Sequence, residues 1–270
     1  AIWVWQDDKD WGIGEFVWTG YDYLGEPSPY DEYWPSRSSY FGICDLAGLP
    51  KDRYYLYRSK WQKGDHTIHL LPHWTWGKER RGQVTPVYCY TDYPTAELFV
   101  NGKSQGKISK NPKERLDRYR LRWNDVKYEP GKLRVVVYDE QGRQAGEQIV
   151  SRAGKPSKLK LDVWTQHDAE WLKADGEDLA FITVSLTDAK GTVIPDANDQ
   201  LSFEVSGAGR FEAVCNGDAT SLESFKKPTM RLFSGQLVVV VRSDKKAGNL
   251  TLKVKDSQRK ISETITLKIE

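Results

Sequence analysis

"YRLRWNDVKYEPGKLRVVVYDEQGRQAGEQIV", residues 119–150, alternates apolar with polar side chains almost without interruption. Period two is the signature of a half-buried strand, and the Pro130-Gly131 and Gln141-Gly142 pairs divide the stretch into strand-length pieces. The pattern extends backwards through "VTPVYCYT" and "AELFVNGKSQGK". In the second of these, Asn101-Gly102 is a strong hairpin signal, because both residues tolerate positive φ. Strands recurring at such short spacing predict a small antiparallel sandwich over residues 81–154. "AGKPSK", 153–158, reads as a linker. Beyond it, "KLKLDVW", "DLAFITVSLTDAKGTVIP", "LSFEVSGAGRFEA", "GQLVVVVRS", "GNLTLKVKD" and "ISETITLKIE" repeat the architecture over 155–270 without repeating the sequence. The expected class is therefore mainly β, with two immunoglobulin-like antiparallel β-sandwiches in tandem.

The first eighty residues are different material. Of the eleven Trp, eight lie at or before Trp76: Trp3, Trp5, Trp11, Trp18, Trp34, Trp61, Trp74 and Trp76. "GEFVWTGYDYLGEPSPY", Gly14 to Tyr30, predicts a strand over residues 12–24 that runs into a long Pro- and Ser-rich loop, "EPSPYDEYWPSRSS". "YFGICDLAGLP" follows as a short strand and turn. Tyr54, Tyr57 and Trp61 share one helix face, which predicts a helix over 51–61. Strand, long loop and helix make a β/α unit. By alternation Phe16, Trp18, Gly20 and Asp22 share one face of the strand. An indole offers a flat apolar surface to the C–H groups of a pyranose, and Asp22 or Glu26 can accept hydrogen bonds from its hydroxyls. The same residues are equally consistent with a core Trp18 and solvated carboxylates.

Other function classes find little support. Lys and Arg number 40 against 38 Asp and Glu, a net +2, so no general footprint for nucleic acid or an anionic membrane is present. The basic stretch "KISKNPKERLDRYRLR", 107–122, has interleaved acids and is expected on an exposed sheet face; the acidic "DDKD", 7–10, is expected to be solvated. No apolar run approaches the roughly 20 residues of a membrane span. Cys44, Cys89 and Cys215 are odd in number and far apart, and read as small buried hydrophobes rather than metal or redox ligands. His66, His69 and His73 cluster, but no Asp or Glu pair completes a metal set and Pro72 breaks any helix that would align them, so packing is the expectation. No cofactor is implied. The sole Met is Met230 and position 1 is Ala, from which we expect a chain that begins inside a longer protein, with any targeting segment outside it.

"GEFVWTGYDYLGEPSPY", "WPSRSSYFGICDLAGLPKDRYYLYRSKW", "HLLPHWTW" and "AELFVNGKSQGK" together resemble, in order, the C-terminal part of bacterial glycoside hydrolase family 2 enzymes of the β-galactosidase type. The resemblance implies a partial (β/α)8 barrel remnant over residues 1–80, carrying the last barrel strand, Gly14 to Leu24, and the final helix, Lys51 to Trp61. Sandwiches over 81–154 and 155–270 would follow. Barrel active sites lie at the C-terminal ends of the strands. The resemblance thus assigns Trp18 to the floor of a sugar pocket, with Asp22, Tyr23 and Glu26 as nearby substrate contacts.

It also implies an absence. Retaining β-glycosidases need two carboxylates about 5 to 5.5 Å apart. In this family both are glutamates on earlier barrel strands, the acid/base in an Asn-Glu pair, and no Asn-Glu dipeptide occurs in the sequence. Ser262-Glu263-Thr264 imitates the nucleophile's setting but lies in an alternating terminal strand. Glu15, three residues before Trp18, is expected on the opposite face in a structural role. No catalytic residue is therefore assigned, and the chain alone is expected to be inactive. The implied partners are an oligosaccharide or polysaccharide substrate and the missing N-terminal part of the enzyme. An unclosed barrel predicts either packing of residues 1–80 against the first sandwich or self-association. The implied location is periplasmic or secreted. The alternative is a carbohydrate-binding or assembly module without hydrolytic activity, for which exposure of two of Trp123, Trp164 and Trp171 would speak.

Overall fold

The computed structural model describes residues 3–167 and 171–270. The described chain is mainly β, with two α-helices, α1 (Trp3–Asp8) and α2 (Asp52–Trp61), and it divides into two compact units. The first comprises the residues up to Gly20, Phe41–Cys44 and Pro50–Arg152. The second comprises Tyr21–Tyr40, Asp45–Leu49 and Ala153–Glu270.

The strands of the first unit are β1 (Ile68–Leu71), β2 (Val87–Thr91), β3 (Thr95–Val100), β4 (Lys103–Ser109), β5 (Leu121–Trp123), β6 (Lys132–Tyr138) and β7 (Gln144–Ser151). They form two antiparallel sheets, β1-β2-β5 and β4-β3-β6-β7. Both sheets send alternate residues into one core. Leu70, Val87, Cys89 and Leu121 come from the first, and Ala96, Leu98, Leu133, Val135 and Val137 from the second. Trp74 and Tyr128 fill the same core, their rings edge to face at 5.0 Å. The Asn101-Gly102 turn joins β3 to β4 with φ of 50° and 82°, as that dipeptide predicts. Asn101 also caps its surroundings: its Oδ1 accepts from Lys132 N at 2.9 Å and its Nδ2 donates to Pro130 O at 3.1 Å.

In the second unit, β8 (Lys158–Thr165), β10 (Leu179–Thr187), β12 (Gly209–Cys215) and β14 (Gln236–Ser243) form a sheet in the order β12-β14-β10-β8. The facing sheet runs β13-β11-β15-β16-β9, from β9 (Trp171–Leu172), β11 (Gln200–Gly207), β13 (Thr229–Arg231), β15 (Gly248–Asp256) and β16 (Ile261–Ile269). All its pairings are antiparallel except β16 with β9. Ile182, Val184, Leu237 and Val239 from one sheet and Leu201, Leu250, Leu252 and Leu267 from the other are fully buried against each other. Glu263 lies mid-strand in β16, opposite Val254 and exposed.

The helix expected over 51–61 forms as α2, but the strand expected over Gly14–Leu24 does not. That segment makes isolated bridge pairings, such as Leu24 with Ser38, and single backbone bonds from Ile43 N to Thr19 O at 3.0 Å and Cys44 N to Gly20 O at 2.8 Å, and the expected strand in "YFGICDLAGLP" shrinks to a bridge between Cys44 and Pro50. A strand is held by its neighbours, and no strand lies next to this segment among the described residues. The described residues thus show the final helix of the expected β/α unit without its strand. Residues 110–120, expected on a sheet face, are turns between β4 and β5, tied by bonds such as Asn111 N to Asp117 O at 3.1 Å.

Candidate functional site

In the first unit a cavity of about 430 Å³ is lined by Glu15, Trp18, Arg53, Tyr57, Arg115 and Tyr119. Trp18 is 71% exposed. The peptide joining it to Thr19 is cis. Trp3 also lines it, 5% exposed, with Tyr57, Trp61 and Tyr119 packed edge-on at 5.1, 6.0 and 5.2 Å. Helix α1 is too short to persist alone. Its acidic end is tied down: Lys60 Nζ and the Tyr119 hydroxyl donate to Asp7 Oδ2 at 2.8 and 2.6 Å, and Arg118 donates to Asp8 Oδ1 at 2.6 Å. Part of the acidic run expected to be solvated thus anchors the helix. Burial raises the Asp7 carboxyl, but the hydrogen bonds from Lys60 and Tyr119 and the charges of Lys60 and Arg118 outweigh it and hold the group below the usual range. Burial, and then the bond to Asp7, push the Tyr119 phenol up.

Glu15 was expected to point away from Trp18, yet both line this cavity, because without a strand there is no alternation to separate them. Among the described residues neither Glu15 carboxylate oxygen has a hydrogen-bond partner, and both are buried.

Asp22, Tyr23 and Glu26 fall in the second unit. The loop that carries them is a two-sided bracket. Tyr23 N donates to Ser39 Oγ at 3.1 Å, Ser39 N to Tyr23 O at 2.9 Å, and Gly25 N to Arg37 O at 3.0 Å. The Tyr23 hydroxyl donates to Glu26 Oε2, and Asp22 is buried. Tyr30 packs on Tyr40 at 4.8 Å, and the Arg37 guanidinium lies 5.6 Å over the Phe225 ring. Three of the four expected sugar contacts therefore share one loop, while Trp18 belongs to the other unit.

The remaining candidates resolve into packing. His66 Nδ1 lies 2.5 Å from Asp92 Oδ2, and His69 Nε2 lies 2.7 Å from Asp52 Oδ1 while its ring stacks on Tyr55 at 3.8 Å. His73 packs on Trp76 at 4.1 Å. No group of three or more potential metal ligands occurs among the described residues. None of the cysteines is in a disulfide, and burial pushes the Cys89 and Cys215 thiols up to about 12. Of the sandwich tryptophans, Trp123 is buried, Trp171 is half-buried and stacked on His167 at 4.2 Å, and Trp164 is 58% exposed.

Comparison with known proteins places this arrangement. Residues 164–265 match the family described as Glycoside hydrolase family 2 C-terminal domain 5, and residues 82–146 match a domain of unknown function. The beta-galactosidase BoGH2A of Bacteroides ovatus is 44% identical over 246 residues, 91% of this chain. The chain belongs to glycoside hydrolase family 2. A beta-glycosidase structure from Bacteroides vulgatus superposes with a TM-score of 0.86 over 98% of the chain at 32% identity. A family 2 structure from Bacteroides cellulosilyticus gives 0.87 over 99% at 27% identity. A putative beta-glucuronidase of Formosa agariphila is 32% identical over 89% of the chain. The chain spans only 27% and 22% of the two curated relatives, and 32% of the Bacteroides vulgatus chain. As a family 2 C-terminal portion, its two sandwiches agree with the mainly β architecture of those neighbours.

Proposed function

We propose that the chain supplies the C-terminal part of a retaining, exo-acting β-glycosidase of the β-galactosidase type, which removes terminal β-linked sugars from an oligosaccharide or polysaccharide. Trp18 carries this reading: a large indole, 71% exposed on a cavity, in a chain 44% identical to a β-galactosidase. An indole so placed can lie against the C–H face of a galactosyl ring, where contact excludes water from the anomeric centre. Asp22, Tyr23 and Glu26 then hold substrate hydroxyls or fix their own loop. The two catalytic glutamates come from the N-terminal part of the enzyme, which is also what covers residues 1–80, so the chain by itself does not hydrolyse glycosides. The sandwiches brace the catalytic domain, with immunoglobulin-like domains over 81–154 and 155–270. The enzyme works in the periplasm or outside the cell.

A second reading has one observation in its favour: Arg53, Arg115 and Arg120 line the cavity that Trp18 walls, and guanidinium groups suit the carboxylate of a β-glucuronide. Hydrolysis of chromogenic β-galactoside and β-glucuronide separates the two. The chain joined to the N-terminal region its relatives carry is expected to cleave the galactoside, and the chain alone neither. In the longer enzyme Trp18→Ala is expected to lower kcat/KM about a hundredfold, about 2.7 kcal/mol. Turnover by the chain alone contradicts the placement of the glutamates outside it. A preference for the glucuronide selects the second reading.

A further inference from the structure

Strand β8 is an edge, and most of its outward residues are what an edge needs. Lys158, Lys160 and Asp162 are exposed and charged, which discourages pairing with another chain. Trp164 breaks the series with a 58% exposed indole. In register beside it on β10 is Phe181, whose ring meets the indole at 5.5 Å and 60°. The tilted phenyl steadies the indole, which stays largely exposed.

Around the indole the wall turns polar. A cavity of about 350 Å³ is lined by Trp164 and Phe181 together with Gln166, Asp175, Glu177 and Asp178. Gln166 is held in place, since its Nε2 donates to Asp178 Oδ1 at 2.9 Å, and among the described residues no group donates to its Oε1. Asp175 Oδ1 accepts from Glu177 N and Asp178 N, both at 2.8 Å, in a turn that Gly176 closes with φ of 79°. The exposed Glu177 carboxylate makes no ion pair among the described residues. The site therefore combines one flat apolar face with three hydrogen-bond acceptors fixed or poised at its rim.

We propose that this edge of the second sandwich is a sugar-binding platform that takes a pyranose ring of a neutral glycan. The proposal rests on the reading that this protein handles glycans. Ring C–H groups lie on Trp164, and hydroxyls donate to Gln166, Asp175 and Glu177. The two rim carboxylates repel a uronic acid, so the platform selects neutral chains over anionic ones. A sugar carries a hydroxyl donor on nearly every ring carbon, which suits several acceptors grouped around one flat apolar face.

The test uses the whole 270-residue chain and reads binding, not hydrolysis, so its failure leaves the hydrolase reading standing. Cellotetraose and galactotetraose are titrated while the indole N–H resonances are followed, with an oligogalacturonate as the anionic control. A neutral saccharide is expected to shift the Trp164 resonance, assigned by its loss in Trp164→Ala. That variant, at an exposed site and with unchanged circular dichroism, is expected to bind about tenfold more weakly. Glu177→Gln is expected to narrow the preference over oligogalacturonate. The proposal is overturned if neither neutral saccharide moves the Trp164 resonance, if Trp164→Ala binds as well as wild type, or if the oligogalacturonate binds equally. A dimer in light scattering that Trp164→Ala dissolves, without any saccharide response, also overturns it and assigns the patch to a second copy.

Discussion

Replacing Asp178 removes the carboxylate on which the start of β10 and the rim beside Trp164 both depend. Its side chain is 2% exposed. Oδ1 accepts from Gln166 Nε2 and Leu179 N, both at 2.9 Å, and Oδ2 accepts from Lys173 N at 2.8 Å with His167 Nε2 also at 2.8 Å. Burial raises this carboxyl, but the bonds from Lys173 N, His167 and Leu179 N prevail and hold it below the usual range. Asp178→Ala leaves two backbone N–H groups without their acceptor and releases Gln166 and His167. At about 1 to 1.5 kcal/mol for each stranded backbone donor, the expected loss is about 3 kcal/mol once the side-chain bonds are included. Asp178→Asn keeps the shape but turns an amide NH₂ toward donors, for about 2 kcal/mol. Urea unfolding of the second unit at constant m reads both. The pH dependence has a fixed sign. A carboxyl whose folded pKa lies below its unfolded value, about 3.9, contributes fully above that value and loses its contribution as pH falls through the folded one. The gap between wild type and Asp178→Asn is therefore open above the carboxyl range and closes below about pH 4. A loss below about 1 kcal/mol in Asp178→Ala, or a gap that acid leaves unchanged, refutes this account.

Trp74→Phe removes the indole N–H donated to Glu129 O at 2.9 Å and leaves a void in the first core, so thermal unfolding of that unit is expected to register a loss of about 2 kcal/mol. With their thiols pushed up to about 12, Cys89 and Cys215 are expected to resist a disulfide reagent at about pH 8 until the protein unfolds, and labelling mapped by mass spectrometry checks which sites react first. Asp7→Asn is expected to cost less than about 1 kcal/mol overall, yet to speed hydrogen exchange in α1, because the groups it links are partly exposed. The Asp7 carboxyl is likewise held low, so the same fraying is expected in wild type only as pH falls beneath the ordinary carboxyl range.

The sandwiches were legible because their strands bury one face: "KLRVVVY" at 132–138 and "QLVVVVRS" at 236–243 announce themselves by composition alone. The same alternation misled at Gly14–Leu24. Aromatic and β-branched residues indicate that a segment suits a sheet, not that a partner strand lies beside it. Helix α1 was invisible, being six residues long with no capping signal, and its support from Lys60, Arg118 and Tyr119 is remote in sequence. Which of Trp123, Trp164 and Trp171 stands exposed is not legible in the sequence, because alternation cannot say whether a sheet face is covered. Nor could it show that Asp178 holds donors from Gln166 to Leu179, since an Asp before a strand reads equally well as a solvated turn residue.

The second unit is not one continuous run of chain, since Tyr21–Tyr40 and Asp45–Leu49 fold with Ala153–Glu270. Arg37 N donates to Ala219 O at 3.1 Å, the Cys215 thiol reaches Leu46 O at 3.4 Å, and Gly217 sits so close to Asp45 that a Cβ there would lie 2.0 Å from its carboxylate. Gene fusion or duplication that moved only the block encoding Ala153–Glu270 would strip the sandwich of these straps and bare the β12 surface they touch. Inheritance of this module is thus tied to a stretch of polypeptide more than a hundred positions upstream, and the two must be transmitted together or redesigned together.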